Sequence, residues 1–326
     1  MSRTVYLSGA TGFIGGRLAE RLLARGDRVR CLVRSPERAE SLRKLGAELI
    51  VGDITDPTAV RVAVEGADLA FHLAAIYDMG VVDAAALTRI NVTGTAVFLD
   101  VVKSAGVPRS VHVSTTVALG PSDQAPSDNV EAYPGPYPSE YHRTKAEAHT
   151  LARAAQASGL PLVIACPAYV YGPGDQGPGG HFIQDLLRHR VPGLLTKPSW
   201  FSYVHADDVV DGLLAAGDRG RTGEVYVLGG EDVSVNTFAE KVAANAGIRA
   251  PILRFPPAMA RMTGVLMDGV SKLTGWRLPI SRETVDATAR ERWLHSYAKA
   301  TREFGYAPRS LQEGLPETVA WFKRTG

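Results

Sequence analysis

In the first half of the chain, five helix-length segments are each followed by a glycine, and short apolar runs stand between them. The segments are 13–25, 36–45, 58–65, 83–105 and Glu140–Ala157; the glycines are Gly26, Gly46, Gly66, Gly106 and Gly159. A glycine just past a helix takes the left-handed conformation that closes the last turn without a Cβ penalty. The apolar runs Thr4–Ser8, Arg28–Val33, Glu48–Val51, 69–74, 110–114 and 162–166 read as strands, with 224–228 as a later one. Strands alternating with helices of this length build βαβ units, and so a parallel sheet covered on both faces. The predicted fold is α/β: a Rossmann-like, doubly wound sheet of seven strands. Residues 1–166 and about 223–229 are expected to form the dinucleotide-binding domain. Residues 167–222 and 230–326, rich in proline-glycine loops and then helices, are expected to form a smaller, mostly helical substrate lobe. That lobe would lie over the sheet's C-terminal edge, where open α/β sheets bind ligands.

The first turn of such a fold carries the next constraint. The stretch from Val5 reads VYLSGATGFIGG, a strand, a glycine turn and a helix start. Glycines let the backbone approach a pyrophosphate, and the helix N-terminus offers aligned N–H groups. Gly9, Thr11, Gly12, Phe13, Ile14 and Gly15 are therefore the expected cofactor loop, although the spacing Gly-x-x-Gly-x-x-Gly differs from the standard dinucleotide fingerprint. At the end of the second strand stands Arg34, with no acid beside it. A carboxylate there favours NAD and an arginine favours the 2′-phosphate of NADP, so NADP(H) is expected, with NAD(H) possible.

Glu140–Ala157 opens PSEYHRTK, with Ser139 as its expected N-cap and Tyr141 and Lys145 four residues apart on one face. A free tyrosine titrates near 10, so proton transfer near neutrality needs a shift of about 3 units. A neighbouring ammonium and a positively charged nicotinamide are expected to supply it. The preceding strand ends in Ser114-Thr115-Thr116, placing hydroxyls at the same sheet edge, in reach of a substrate carbonyl and Tyr141.

Taken together, GATGFIGG, LVRS, GDITD, HLAA, INVTGT, VSTTVALGP, YHRTK, PAYVYGPGD and FSYVHADDV resemble the extended short-chain dehydrogenase/reductases. The likeness is to the branch with dihydroflavonol 4-reductase and 3β-hydroxysteroid dehydrogenases, and runs from Tyr6 to about Gly229. It implies that Thr115, Tyr141 and Lys145 carry catalysis, Thr116 being a second choice for the hydroxyl, and that Lys145 also holds the nicotinamide ribose. It further implies that Asp53 and Ile54 contact adenine. Leu73, Ala74 and Ala75 would line the cofactor channel, and Pro167, Ala168 and Val170 would face the nicotinamide amide. Relatives commonly pair the helices equivalent to 83–105 and Glu140–Ala157, which implies a homodimer. Sugar-nucleotide dehydratases of the family carry Asp-Glu after the catalytic threonine; Thr116-Val117 stand here instead.

The expected pocket, drawn from 76–80, 169–182, 200–203 and 257–276, is mainly apolar and aromatic. Tyr77, Thr116, Tyr169, Phe182, Trp200 and Tyr203 are its candidate substrate contacts, although the aromatics at 200–203, read as a loop, could equally pack the lobe. This favours a hydrophobic ketone or aldehyde over a nucleotide sugar, whose diphosphate would draw on basic groups such as Arg188, Arg190 and Lys197. The expected function is NADP(H)-dependent reduction of such a carbonyl, or oxidation of the matching alcohol. A sugar-nucleotide epimerase and a non-catalytic dinucleotide sensor are the alternatives.

The charge balance of 36 basic against 34 acidic residues, net +2, shows no clustered basic excess, so no nucleic-acid partner is expected. No metal site is expected, since His72, His112, His205 and His295 form no i, i+4 pair. No uninterrupted apolar run approaches the ~18–20 residues of a membrane span, and no leader pattern opens the chain. Cys31 and Cys166 sit in apolar runs, as reduced, buried thiols would. A cytoplasmic location is expected. The apolar stripe of 257–273 reads as packing within the lobe, with contact to a membrane or apolar ligand as the alternative.

Overall fold

The computed structural model describes residues 2–77, 83–122, 126–274, 285–286 and 291–325. Strands β1 (Thr4–Ser8), β2 (Arg28–Val33), β3 (Glu48–Val51) and β4 (Leu69–His72) alternate with α1 (Phe13–Ala24), α2 (Glu40–Lys44) and α3 (Pro57–Val64). A helical stretch then runs from α4 (Ala84–Leu87) through a π turn (Thr88–Thr93) into α5 (Gly94–Ser104). It is followed by β5 (Ser110–Val113), α6 (Glu140–Ala157) and β6 (Leu162–Pro167). The next elements are β7 (Tyr169–Tyr171), α7 (Pro178–Leu187), β8 (Leu194–Leu195), β9 (Trp200–His205), α8 (Ala206–Arg219) and β10 (Val225–Leu228). Last come β11 (Glu231–Ser234), α9 (Val235–Ala246), β12 (Arg254–Phe255), α10 (Pro257–Thr274), β13 (Arg292–Trp293), α11 (Ala298–Phe304) and α12 (Leu311–Thr325).

Seven strands form the central sheet in the order β10-β6-β5-β4-β1-β2-β3, each pair parallel. This is the Rossmann-like sheet read from the sequence. The order reverses between β1 and β4, so the crevice for a ligand opens at the C-terminal ends of those two strands. The five helix-ending glycines all have positive φ, from +65° to +99°.

Because side chains alternate along each strand, the sheet has two distinct faces. On one, Val5, Leu7, Leu69, Phe71, Val111 and Val113 pack against Leu18 and Leu22 of α1 and Val209, Val210 and Leu213 of α8. On the other, Tyr6, Ala70, Leu162 and Ile164 meet Phe98, Leu99 and Val102 of α5 and Ala152 of α6. A third core, with Tyr171, Ile183, Phe201, Phe238, Trp293 and Leu315, fills the lobe.

Several expectations change. Residues 206–219 and 298–304 fall in the stretches assigned to the lobe, yet α8 and α11 cover the first face of the central sheet through Leu213, Ala216, Ala300 and Phe304. Periodicity marks such helices as amphipathic without naming the surface they cover. Residues 36–45 divide into a short 3₁₀ turn, Pro36–Ala39, and α2. Trp200 and Tyr203 lie on strand β9, between β11 and β13, and not in a loop. Met259, Met262, Val265 and Leu266 of α10 face solvent, against the reading that packs them in the lobe. Ala84–Ser104, in length and a mean hydropathy of 1.3, is composed as a membrane span would be, although Arg89, Asp100 and Lys103 interrupt it. Half of its apolar window is buried inside the protein.

Candidate active site

The glycine loop is held by contacts that leave no room for side chains. Gly9 has φ +78°, and a Cβ there would stand 2.7 Å from the Leu73 carbonyl carbon and 2.8 Å from the Ala74 nitrogen. At Gly15 a Cβ would lie 2.1 Å from the Gly9 oxygen. The loop therefore presses against the end of β4, with Leu73 and Ala74 beside it. Gly12 caps α1 without a side-chain hydrogen bond, and the first turn holds no acid. Its opening N–H groups and positive dipole end suit an anion. This cradle fits the pyrophosphate of a dinucleotide. Thr11 is exposed at its rim, while Phe13 and Ile14 are partly buried.

Around the crevice, Arg34 emerges exposed just beyond β2. Its charge reaches Asp53 near the end of β3. Burial pushes the Asp53 carboxyl up, but hydrogen bonds from Thr55 and the charges of Arg89 and Arg34 hold it below its usual value. Ile54 is buried against Gly94, where a Cβ would approach its Cγ2 to 2.9 Å. Ala75 is exposed beyond β4, and Pro167 and Ala168 lie at the end of β6, where the Ala168 N–H donates to the Leu228 oxygen over 3.1 Å. Val170 pairs with Val204 on the lobe's sheet.

Ser139 caps α6, its hydroxyl accepting the His142 N–H over 3.3 Å. That start places Tyr141 and Lys145, both buried, on the face toward the end of β5. The Thr115 hydroxyl stands beside Tyr141, near enough to act on its phenol, and accepts the Val117 N–H over 3.3 Å. The Lys145 ammonium donates to the Val113 carbonyl oxygen over 3.2 Å. Burial raises the Tyr141 phenol above its usual value, and the neighbouring Thr115 hydroxyl pulls it partly back. The chain's own groups thus keep the phenol protonated, and the expected lowering by Lys145 is not among the influences on it. Burial also lowers Lys145, to about 8.

Beneath this pair runs a buried polar chain that the sequence did not reveal. Ser8 Oγ meets His72 Nδ1 at 2.8 Å, and His72 Nε2 meets Thr95 Oγ1 at 3.1 Å. Thr95 donates to the Asn91 carbonyl oxygen over 2.7 Å. The Asn91 amide donates to Thr144 Oγ1 and to the Ile76 oxygen, both over 3.1 Å, and accepts the Ile76 N–H over 2.8 Å. Asn91 sits in the π turn, a break in helical period of the kind that recurs at functional sites. By clamping Ile76 it fixes the residue before Tyr77, whose ring lies 5.0 Å from that of Tyr141.

The other aromatic candidates divide. Tyr203 is buried, its ring stacked on Phe238 at 4.1 Å, and Phe182 packs on the same core, so both support the lobe. Trp200 is partly exposed under the Arg292 guanidinium. Tyr169 is partly buried, its ring 4.8 Å from that of Tyr203. Asp175, unforeseen in the sequence, accepts the Gly177 N–H over 2.8 Å in the loop beside Tyr77 and Tyr169, and burial raises its carboxyl.

Comparison with known proteins agrees with this geometry. The family described as NAD dependent epimerase/dehydratase matches residues 5–229. A Stigmatella aurantiaca protein named 4-hydroxy-2-methyl-3-oxo-4-farnesyl-3,4-dihydroquinoline-1-oxide ketoreductase is 33% identical, over 95% of this chain and 94% of its own. A Synechocystis protein named putative dihydroflavonol 4-reductase is 29% identical, over 100% of this chain and 96% of its own. The crystal structure of gox2253 superposes with a TM-score of 0.83 at 30% identity, covering 100% of this chain and 99% of that one.

Proposed function

We propose, from the premise that the chain belongs to the NAD-dependent epimerase/dehydratase family of extended short-chain dehydrogenase/reductases, that it is an NADP(H)-dependent reductase of an apolar ketone or aldehyde. The observation that carries this reading is the buried Tyr141, beside the buried Thr115 hydroxyl and sharing a helix face with Lys145. When bound, the dinucleotide would supply a hydride at its nicotinamide. Gly9, Gly12 and Gly15 would hold its pyrophosphate, and Lys145 its ribose.

The protein's own part is proton transfer and placement. Tyr141, kept protonated by burial, gives its proton to the carbonyl oxygen, while Thr115 orients that oxygen. Tyr77, against Tyr141, and Tyr169 offer aromatic surface to an apolar substrate. Thr116-Val117 provide no acid-base pair for a dehydratase step. The farnesyl-bearing substrate in the name of the Stigmatella relative supports an apolar carbonyl compound here as well.

Arg34 supports the choice of NADP(H). Its replacement, Arg34→Ala, should weaken NADPH roughly ten- to hundred-fold and leave NADH nearly unchanged, the loss of one charge-assisted phosphate contact. Equal losses for both cofactors would end that reading. For assembly we propose a homodimer through Ala84–Ser104 and α6, since the first is apolar yet only half buried. The deciding experiment is to incubate the purified protein with NADPH and a panel of apolar ketones and aldehydes, following loss of reduced nicotinamide. Stoichiometric consumption supports a reductase. Interconversion of sugar nucleotides on a dinucleotide that never dissociates, without net consumption, would assign an epimerase instead.

A further inference from the structure

We propose that α10, with the segment leading into it, is a peripheral docking surface for an anionic lipid bilayer. At 100° per residue, Met259, Met262, Val265, Leu266 and Val270 fall within one arc of about 140°. Their exposures are 46%, 74%, 54%, 66% and 38%. The opposite arc holds Pro257 and Gly264, both buried, and Ala260, partly buried. The helix thus turns small residues inward and large apolar ones to solvent, the reverse of an ordinary amphipathic helix. Ile252 and Leu253, 81% and 59% exposed, extend the stripe. Seven of the eleven exposed large hydrophobic residues among those described lie between 252 and 270.

Charge identifies the occupant. Arg249, Arg254 and Arg261 flank the stripe. Parallel pairing of β12 with β8 brings the segment carrying Arg188, Arg190 and Lys197 alongside. Among the described residues the acids here are Glu240, which meets Arg254, Asp286, which meets Arg261, Asp268, and Asp185 beside Arg188 and Arg190, so six basic groups stand against four acids. In the whole chain the ratio is 36 to 34. A second copy of this chain, set face to face, would oppose like charges across the contact. An anionic bilayer suits both features: apolar side chains enter the acyl boundary and the guanidiniums stay at headgroup level. The methionines, flexible and polarizable, adapt to such a disordered surface.

Sedimentation of the full chain with phosphatidylcholine vesicles containing about 30% phosphatidylglycerol tests this. Binding should exceed that to pure phosphatidylcholine by roughly tenfold and fall as salt is raised. Met262→Glu with Leu266→Glu should reduce it at least about tenfold while thermal unfolding is unchanged, since both side chains are exposed. Arg190→Glu with Arg249→Glu should reduce it similarly. Binding no stronger than to pure phosphatidylcholine, or insensitive to both pairs, would overturn the proposal. So would concentration-dependent self-association, or capture of a protein partner without vesicle binding, abolished by the apolar pair.

Discussion

The two faces of the central sheet are built from the same strands to different ends. Toward α1 and α8 the strands present Val5, Leu7, Leu69, Phe71, Val111 and Val113, an apolar surface sealed by apolar helices. Toward α5 and α6 the same strands present Ser8, His72, Ser110, His112 and Ser114, all buried. There His72 stacks on Phe98 at 4.6 Å and on His112 at 5.3 Å, and Ser114 meets His149 Nδ1 at 2.8 Å. Among the described residues, neither ring nitrogen of His112 has a hydrogen-bond partner, which costs about 1–3 kcal/mol per orphaned group. Burial keeps these rings neutral, with His72 pushed down to about 3 and His149 to about 4. Both faces carry an apolar core, but only the second adds to it a buried polar chain, at the end where Tyr141 and Lys145 stand.

This contrast can be broken by substitution. On the polar side, Tyr141→Phe keeps the ring packing and removes the proton, so turnover should fall by about 10²–10⁴ with cofactor affinity and melting temperature nearly unchanged. Near-normal turnover would remove Tyr141 from the chemistry and the mechanism with it. On the apolar side, Leu213→Ala should cost about 2–5 kcal/mol of stability, read by denaturant unfolding, while turnover of the folded protein persists. Were Leu213→Ala to inactivate without destabilising, the division of labour between the faces would be wrong.

The sequence carried the fold almost completely, because periodicity of two and 3.6 and the helix-ending glycines are local signals. It also carried where Gly9, Gly15, Thr115, Tyr141 and Lys145 would stand, each at a strand end or helix start. It did not carry Asn91, His72 or Thr95, since their roles depend on contacts across 15 to 64 positions of chain. The π turn that aims Asn91 leaves no trace in an apolar pattern. Nor did it carry the direction of α10: a stripe of Met259, Met262 and Leu266 reads the same whether it faces the core or solvent.

Asn91 tests whether the polar face positions the pocket as well as the lysine. Asn91→Ala removes the bonds to Ile76 and Thr144 and leaves their buried partners unmet, about 1–3 kcal/mol in unfolding free energy. Because Ile76 leads into Tyr77, KM for the carbonyl substrate should also rise several-fold. A loss of stability with unchanged KM would make Asn91 structural alone.

The smallest effect, and the one that best separates the faces, is a pair of opposite pH slopes. Burial lowers Lys145 from 10.5 to about 8 in the folded protein. Below pH 8 the lysine is charged both folded and unfolded, so the folded state carries the full desolvation cost. Between about 8 and 10.5 the folded state sheds its proton first and that cost is relieved, so this group makes stability rise with pH. Under the proposed function activity runs the other way, since the ammonium is the form that would hold a ribose hydroxyl. Turnover should fall roughly tenfold from pH 7 to 9, following the charged fraction. The buried neighbours do not compete in this window. His72 and His149 sit far below it, and burial pushes Cys166 up to about 12. Lys145→Met, with no proton to lose, should flatten both slopes. Turnover that stays level to pH 9.5, or a parent whose stability falls from pH 8 as steeply as that of Lys145→Met, would show that the polar face does not act through the lysine's charge.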